Sequence, residues 1–81
     1  MDYFAVVRTL LQNATARTDA EEWQTDAPLL GSVAELDSMA IVTFFTALED
    51  EYGVYVEDDE VSAEIFETLG SLVEFVEAKL G

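Results

Sequence analysis

Among the residue types in this chain that could do chemistry, the hydroxyl of Ser38 stands out for its place in Leu36-Asp37-Ser38-Met39. From Ser38 to Tyr52 there is neither proline nor glycine, and apolar residues recur at helical spacing, so a helix is expected to start there. Asp37 is a good N-cap, which puts Ser38 in the first turn. A first turn leaves backbone N–H groups unpaired and carries the positive end of the helix dipole, so a phosphate attached at Ser38 would be favoured. The chain has no histidine and no cysteine, and its one lysine is Lys79, so no base is at hand to activate the serine. Ser38 reads as an attachment point and not as a nucleophile.

The other candidate chemistries are weaker. Paired carboxylates abound, but a small helical bundle offers no cleft in which two of them could flank a substrate. The acids Glu49 to Glu51 and Glu57 to Glu60 raise the question of calcium. An EF-hand loop needs oxygen ligands at its first, third and fifth positions and glycine at its sixth. With Gly53 in the glycine position, Leu48 falls first, and the match fails. No dedicated metal site and no catalytic residue is expected.

The composition sets the outer bounds. The formal net charge is −15, from 18 acids against three bases, Arg8, Arg17 and Lys79. Asp2 is the only acid outside residues 18–78, so that stretch carries all the others and no base. Such charge could mean disorder, but the chain is 51% hydrophobic and 11% aromatic, which argues for one compact core. At 81 residues a single domain, 1–81, is expected, with too little apolar material for a buried ligand cavity plus a second layer. A folded polyanion repels nucleic acid and anionic membrane and attracts proteins with basic patches. There is no signal-peptide pattern and no run long enough for a membrane span, so a cytoplasmic monomer is expected. The charge also fits two other readings: an acidic interaction protein that mimics nucleic acid, and a divalent-ion buffer.

The elements that must position Ser38 form an all-α chain, a small four-helix bundle of three longer helices and one short one. Tyr3, Phe4, Val7, Leu10, Leu11 and Ala14 lie on one stripe and predict a first helix of about three turns. A long connection follows, broken by Pro28 and Gly31, with Trp23, Leu29, Leu30, Val33 and Leu36 as apolar anchors. On the second helix Ile41, Phe44, Phe45, Leu48 and Tyr52 face the core. Met39, Val42, Thr43, Thr46 and Asp50 face outward, with Glu49 at the edge. Met39 and Val42 thus form an exposed apolar spot beside Ser38. Gly53 ends this helix. Val54 to Val56 reads as a bridging segment, and Val61, Ile65 and Phe66 predict the short helix. Thr68 or Ser71 caps a last helix with the stripe Leu69, Leu72, Val73, Val76 and Leu80, and Ser71 and Glu74 have capping-box spacing.

Three segments in this order, Leu36-Asp37-Ser38-Met39, Ala47-Leu48-Glu49-Asp50-Glu51-Tyr52-Gly53-Val54 and Thr68-Leu69-Gly70-Ser71-Leu72, resemble an acyl carrier protein over essentially the whole chain. The resemblance implies that Ser38, with Asp37 beside it, takes 4′-phosphopantetheine from a phosphopantetheinyl transferase. The thiol of that arm then holds acyl groups as thioesters for acyl-loading and acyl-transfer enzymes. It also implies that Met39, Val42, Glu49 and Asp50 meet those partner enzymes. Met39 departs mildly from the family's usual leucine, and Thr43 stands where fatty-acid-synthesis carriers commonly have an acid. Leu29-Leu30-Gly31-Ser32 and Phe66-Glu67-Thr68-Leu69-Gly70 are similar to stand-alone carriers associated with exopolysaccharide and exosortase systems.

Overall fold

A computed structural model of the chain describes residues 2–29, 33 and 36–81. Three α-helices carry the fold: α1 (Tyr3–Thr15), α2 (Ser38–Tyr52) and α3 (Leu69–Leu80). Short 3-10 turns stand at Thr18–Glu22, Asp58–Glu60 and Ala63–Phe66. Among the described residues there is no strand, only an isolated antiparallel bridge between Pro28 and Thr68.

Each helix starts where a side-chain oxygen can satisfy an orphan N–H. The Asp2 carboxylate accepts from the Ala5 N–H at 3.2 Å, and that of Asp37 accepts from the Ala40 N–H at 2.9 Å. At the end of α2, Gly53 takes φ of 68°, a left-handed conformation that glycine adopts without strain, and its N–H bonds the Glu49 carbonyl. At α3 the expected capping box falls on a different pair. Thr68 is the N-cap, so its reciprocal partner three residues on is Ser71, while Glu74 lies a turn farther along and is exposed.

The apolar stripes meet in one core. Val7, Leu10 and Leu11 of α1, Phe44 and Leu48 of α2, and Leu69, Leu72 and Val76 of α3 are all buried. Ile41 and Tyr52, expected on the core side, are half-buried at its margin. The expected short helix is a four-residue 3-10 turn, Ala63–Phe66. Those four residues suffice to drop Phe66 into the core, where it is 1% exposed. The acidic run before them turns once, at Asp58–Glu60, and goes no further as helix.

The connection from α1 to α2 is anchored as its apolar residues predict. Leu29, Val33 and Leu36 are buried and Trp23 packs against the core, while Leu30 lies outside the described residues. Its 3-10 turn at Thr18–Glu22 was not expected. There Arg17 grips the Asp19 carboxylate through two bonds, at 2.8 and 2.9 Å, and lies over the Trp23 ring. The Arg17 bond holds the Asp19 carboxyl below its ordinary range. Farther on, backbone bonds stitch the connection to the start of α3. Leu29 N–H donates to the Glu67 carbonyl, Leu69 N–H to that of Ala27, and Gly70 N–H to that of Thr25. These bonds hold residues 25–29 against the start of α3.

Candidate functional site

Ser38 is the first residue of α2, and its side chain is exposed. The Asp37 side chain is committed to the Ala40 N–H, and its carbonyl accepts from Ile41 N–H at 3.0 Å. By helix geometry the N–H groups of Ser38 and Met39 have no partner within the helix, so they face the position of any group on the Ser38 hydroxyl. The first turn of α2 contains no acid, on a chain where acids are dense. A phosphodiester on Ser38 would therefore meet the positive helix end, with the Asp37 carboxylate beside it.

The expected outward face is outward. Met39 is 73% exposed and Val42 60% exposed, and Thr43, Thr46 and Asp50 are exposed as well. Glu49 differs from the others. It is half-buried, and its Oε2 accepts from the backbone N–H of Val56 at 2.8 Å. An acid at the edge of the helical wheel, which the resemblance assigns to the partner face, thus also holds the connection between α2 and α3.

The structure adds two features absent from the sequence reading. One is an open groove of about 360 Å³ along α2, lined by Ile41, Val42, Phe45, Thr46 and Glu49, and by Val56 and Val61 of the following connection. It lies at the surface and not inside the bundle, so the shortage of apolar material for a buried cavity plus a second layer did not exclude it. Val42, exposed as expected, and Phe45, buried on the core side as expected, both line this groove. The other feature is Lys79. Its ammonium donates to the Tyr55 carbonyl at 3.3 Å and pairs with the Glu60 carboxylate. The Lys79 bond, with that from the Glu57 N–H, holds the Glu60 carboxyl below its ordinary value.

Among the described residues no three acids converge as a metal site, and no helix is long and apolar enough to cross a membrane.

The family model described as the phosphopantetheine attachment site matches residues 5–76. The chain is also similar to a holo acyl carrier protein from Nitrosomonas europaea, solved by NMR in solution. The two share 43% sequence identity over 96% of this chain and 95% of that one, with a TM-score of 0.84. No match was found among curated proteins.

Proposed function

The chain belongs to the phosphopantetheine attachment-site family, as an acyl carrier protein, and on that premise we propose that Ser38 is the hydroxyl that bears the arm. It is a carrier and not a catalyst, and its cofactor is covalently attached 4′-phosphopantetheine. The arm supplies the thiol on which acyl groups travel, a group that a chain without cysteine does not supply itself.

The observation that carries the assignment is the exposed Ser38 hydroxyl at the acid-free first turn of α2. Two other described serines within the matched region fit less well. The Ser71 hydroxyl donates toward the Ile65 and Thr68 carbonyls inside a helix cap, and Ser62 precedes only a four-residue 3-10 turn. Asp37 supports the site by holding the helix start in place.

In this reading residues 1–81 form one carrier domain that works as a monomer. The Ala63–Phe66 turn serves as the short fourth element of the bundle. Phosphopantetheinyl transferase and acyl-transfer enzymes grip the outward face of α2. Met39 and Val42 provide the buried contact, and Asp50, with Glu49 at the edge, steers a basic patch.

Intact-mass analysis after incubation with coenzyme A and a broad-specificity transferase tests the assignment. The unaltered protein should gain the mass of the arm. Ser38→Ala should gain nothing and should melt within about 1 kcal/mol of the parent, since the cap at Asp37 is intact. Met39→Ala should load more slowly through faster dissociation of the transferase. An alanine variant at position 38 that still gains the arm would move the site to another serine.

A further inference from the structure

The groove beside α2 runs directly from the attachment point. Ser38, Ile41, Val42, Phe45, Thr46 and Glu49 follow the spacing i, i+3, i+4, i+7, i+8, i+11, which is one continuous face of a helix. A group tethered at Ser38 therefore finds an apolar track in line with its own anchor. From Ile41 to Glu49 the track rises about 12 Å, at the 1.5 Å per residue of an α-helix.

Its floor is Phe45. That ring is 7% exposed and is met edge-on by rings from three other positions. Phe44 stands at 5.3 Å and 89°, Phe66 at 5.7 Å and 85°, and Phe75 at 5.8 Å and 78°. These neighbours come from α2, the 3-10 turn before α3, and α3 itself. Phe45 cannot swing aside without breaking favourable perpendicular contacts on all three elements. Behind it Phe44 and Phe66 are 0% and 1% exposed, so the space beneath the groove is filled. At the far end the track meets the Glu49 carboxylate, already engaged with Val56 N–H.

We propose that Phe45 is a specificity-determining residue: it closes the groove from below and so limits the sheltered part of the acyl cargo to a short straight chain lying along α2. A longer chain has either to remain in water or to run onto the Glu49 carboxylate. The inference rests on Ser38 as the attachment point, because an arm anchored on that face can fold back and lay its cargo along the track.

Loading the protein with butyryl, octanoyl and tetradecanoyl arms from the matching acyl-coenzyme A tests the limit through melting temperature and amide shifts. In the parent, stabilisation should rise from butyryl and level off, with tetradecanoyl no better than octanoyl. In Phe45→Val the rise should continue to tetradecanoyl. A parent that keeps gaining through tetradecanoyl, or a variant with the same plateau, would overturn the proposal. Phe45→Leu, which keeps more of the volume without the ring, provides the same comparison if the valine variant does not fold.

A second measurement needs no arm. Neutral butanol, octanol and dodecanol are titrated into Ser38→Ala protein, with and without Phe45→Val, and followed at the amides of Val42, Val56 and Val61. Affinity should grow roughly fourfold for each methylene that the groove covers. With Phe45 in place the growth should stop at a shorter alcohol than in the valine variant. Equal stopping points would overturn the role of Phe45. Failure of the unaltered protein to load at Ser38 would count against the attachment reading alone, since the alcohols report on Phe45 without it.

Discussion

The two connections of this fold draw on ionisable side chains to different degrees. Between α1 and α2 the chain is fixed by backbone bonds to the start of α3 and by buried Leu29, Val33 and Leu36. Between α2 and α3, Val56 and Phe66 are buried and the Glu67 carbonyl takes the bond from Leu29. Ionisable side chains add three ties there: Glu49 on the Val56 N–H, Lys79 on the Tyr55 carbonyl, and Lys79 paired with Glu60. The backbone bonds and buried residues of the first do not depend on ionisation, although the Arg17–Asp19 pair near its start does. The second uses two carboxylates and the chain's one lysine, so its strength answers to charge, pH and salt. The first leads to Asp37 and Ser38, whereas the second forms a wall of the groove through Val56 and Val61.

Crowding the stitched connection should produce the largest effect. A Cβ on Gly70 would lie 2.5 Å from Thr25 Cγ2 and 3.0 Å from the Thr25 carbonyl oxygen, whose place is fixed by its bond from Gly70 N–H. Gly70→Ala should therefore cost about 1–3 kcal/mol in urea unfolding, despite alanine's better helix propensity. Adding Thr25→Ser, which removes the methyl, should recover part of the loss. An unchanged midpoint would mean that this junction is looser than its bonds imply.

Cutting the carboxylate tie should cost less. Glu49→Ala leaves Val56 N–H without its acceptor and should destabilise by about 1 kcal/mol, with faster amide exchange at Val56. Glu49→Gln keeps an acceptor oxygen and should stay close to the parent. The same contact bears on docking, because Glu49→Lys would disturb the groove wall as well as a partner's approach. A slower association in that variant is attributable to lost steering only if Glu49→Gln, which also removes the charge, shows it too.

The smallest effect is expected at Lys79. Lys79→Gln should barely move the melting temperature, as is usual for a solvent-accessible ion pair, yet the amides of residues 55–60 should exchange faster. Acid should mimic it. The Glu60 carboxyl is held below its ordinary 4.5 when folded, so its contribution is complete above that value and is lost as pH falls through the lower folded-state value. Exchange in 55–60, corrected for its intrinsic pH dependence, should rise over that window in the parent. In Lys79→Gln it should already be high and change little. Equal exchange in the two proteins at neutral pH would show that the second connection does not depend on its lysine.

Much of this was legible in the residues themselves. The periodicity from Ser38 to Tyr52, the N-cap at Asp37 and the glycine at 53 give α2 its bounds, because capping and helical spacing are short-range matters of backbone bonding. The exposure of Met39, Val42 and Asp50 follows from the same wheel. Neighbouring possibilities were less distinct. Thr68 and Ser71 are both good caps, and what separates them is where the incoming chain pairs with Ala27 and Thr25. The short helix near Ile65 became a 3-10 turn because four residues are enough to seat Phe66.

By itself, then, the sequence determined the three α-helices, where α2 starts and that a serine hydroxyl stands at that start. Tertiary structure alone decided that Glu49 turns back to Val56, that Lys79 reaches across 24 positions to Tyr55, and that three phenylalanine rings fix a fourth beneath an open groove. Helical period and caps are set by residues within a turn or so of one another. Those other contacts join residues whose separation closes only when the helices dock, and the core that docks them is chosen by packing rather than by spacing.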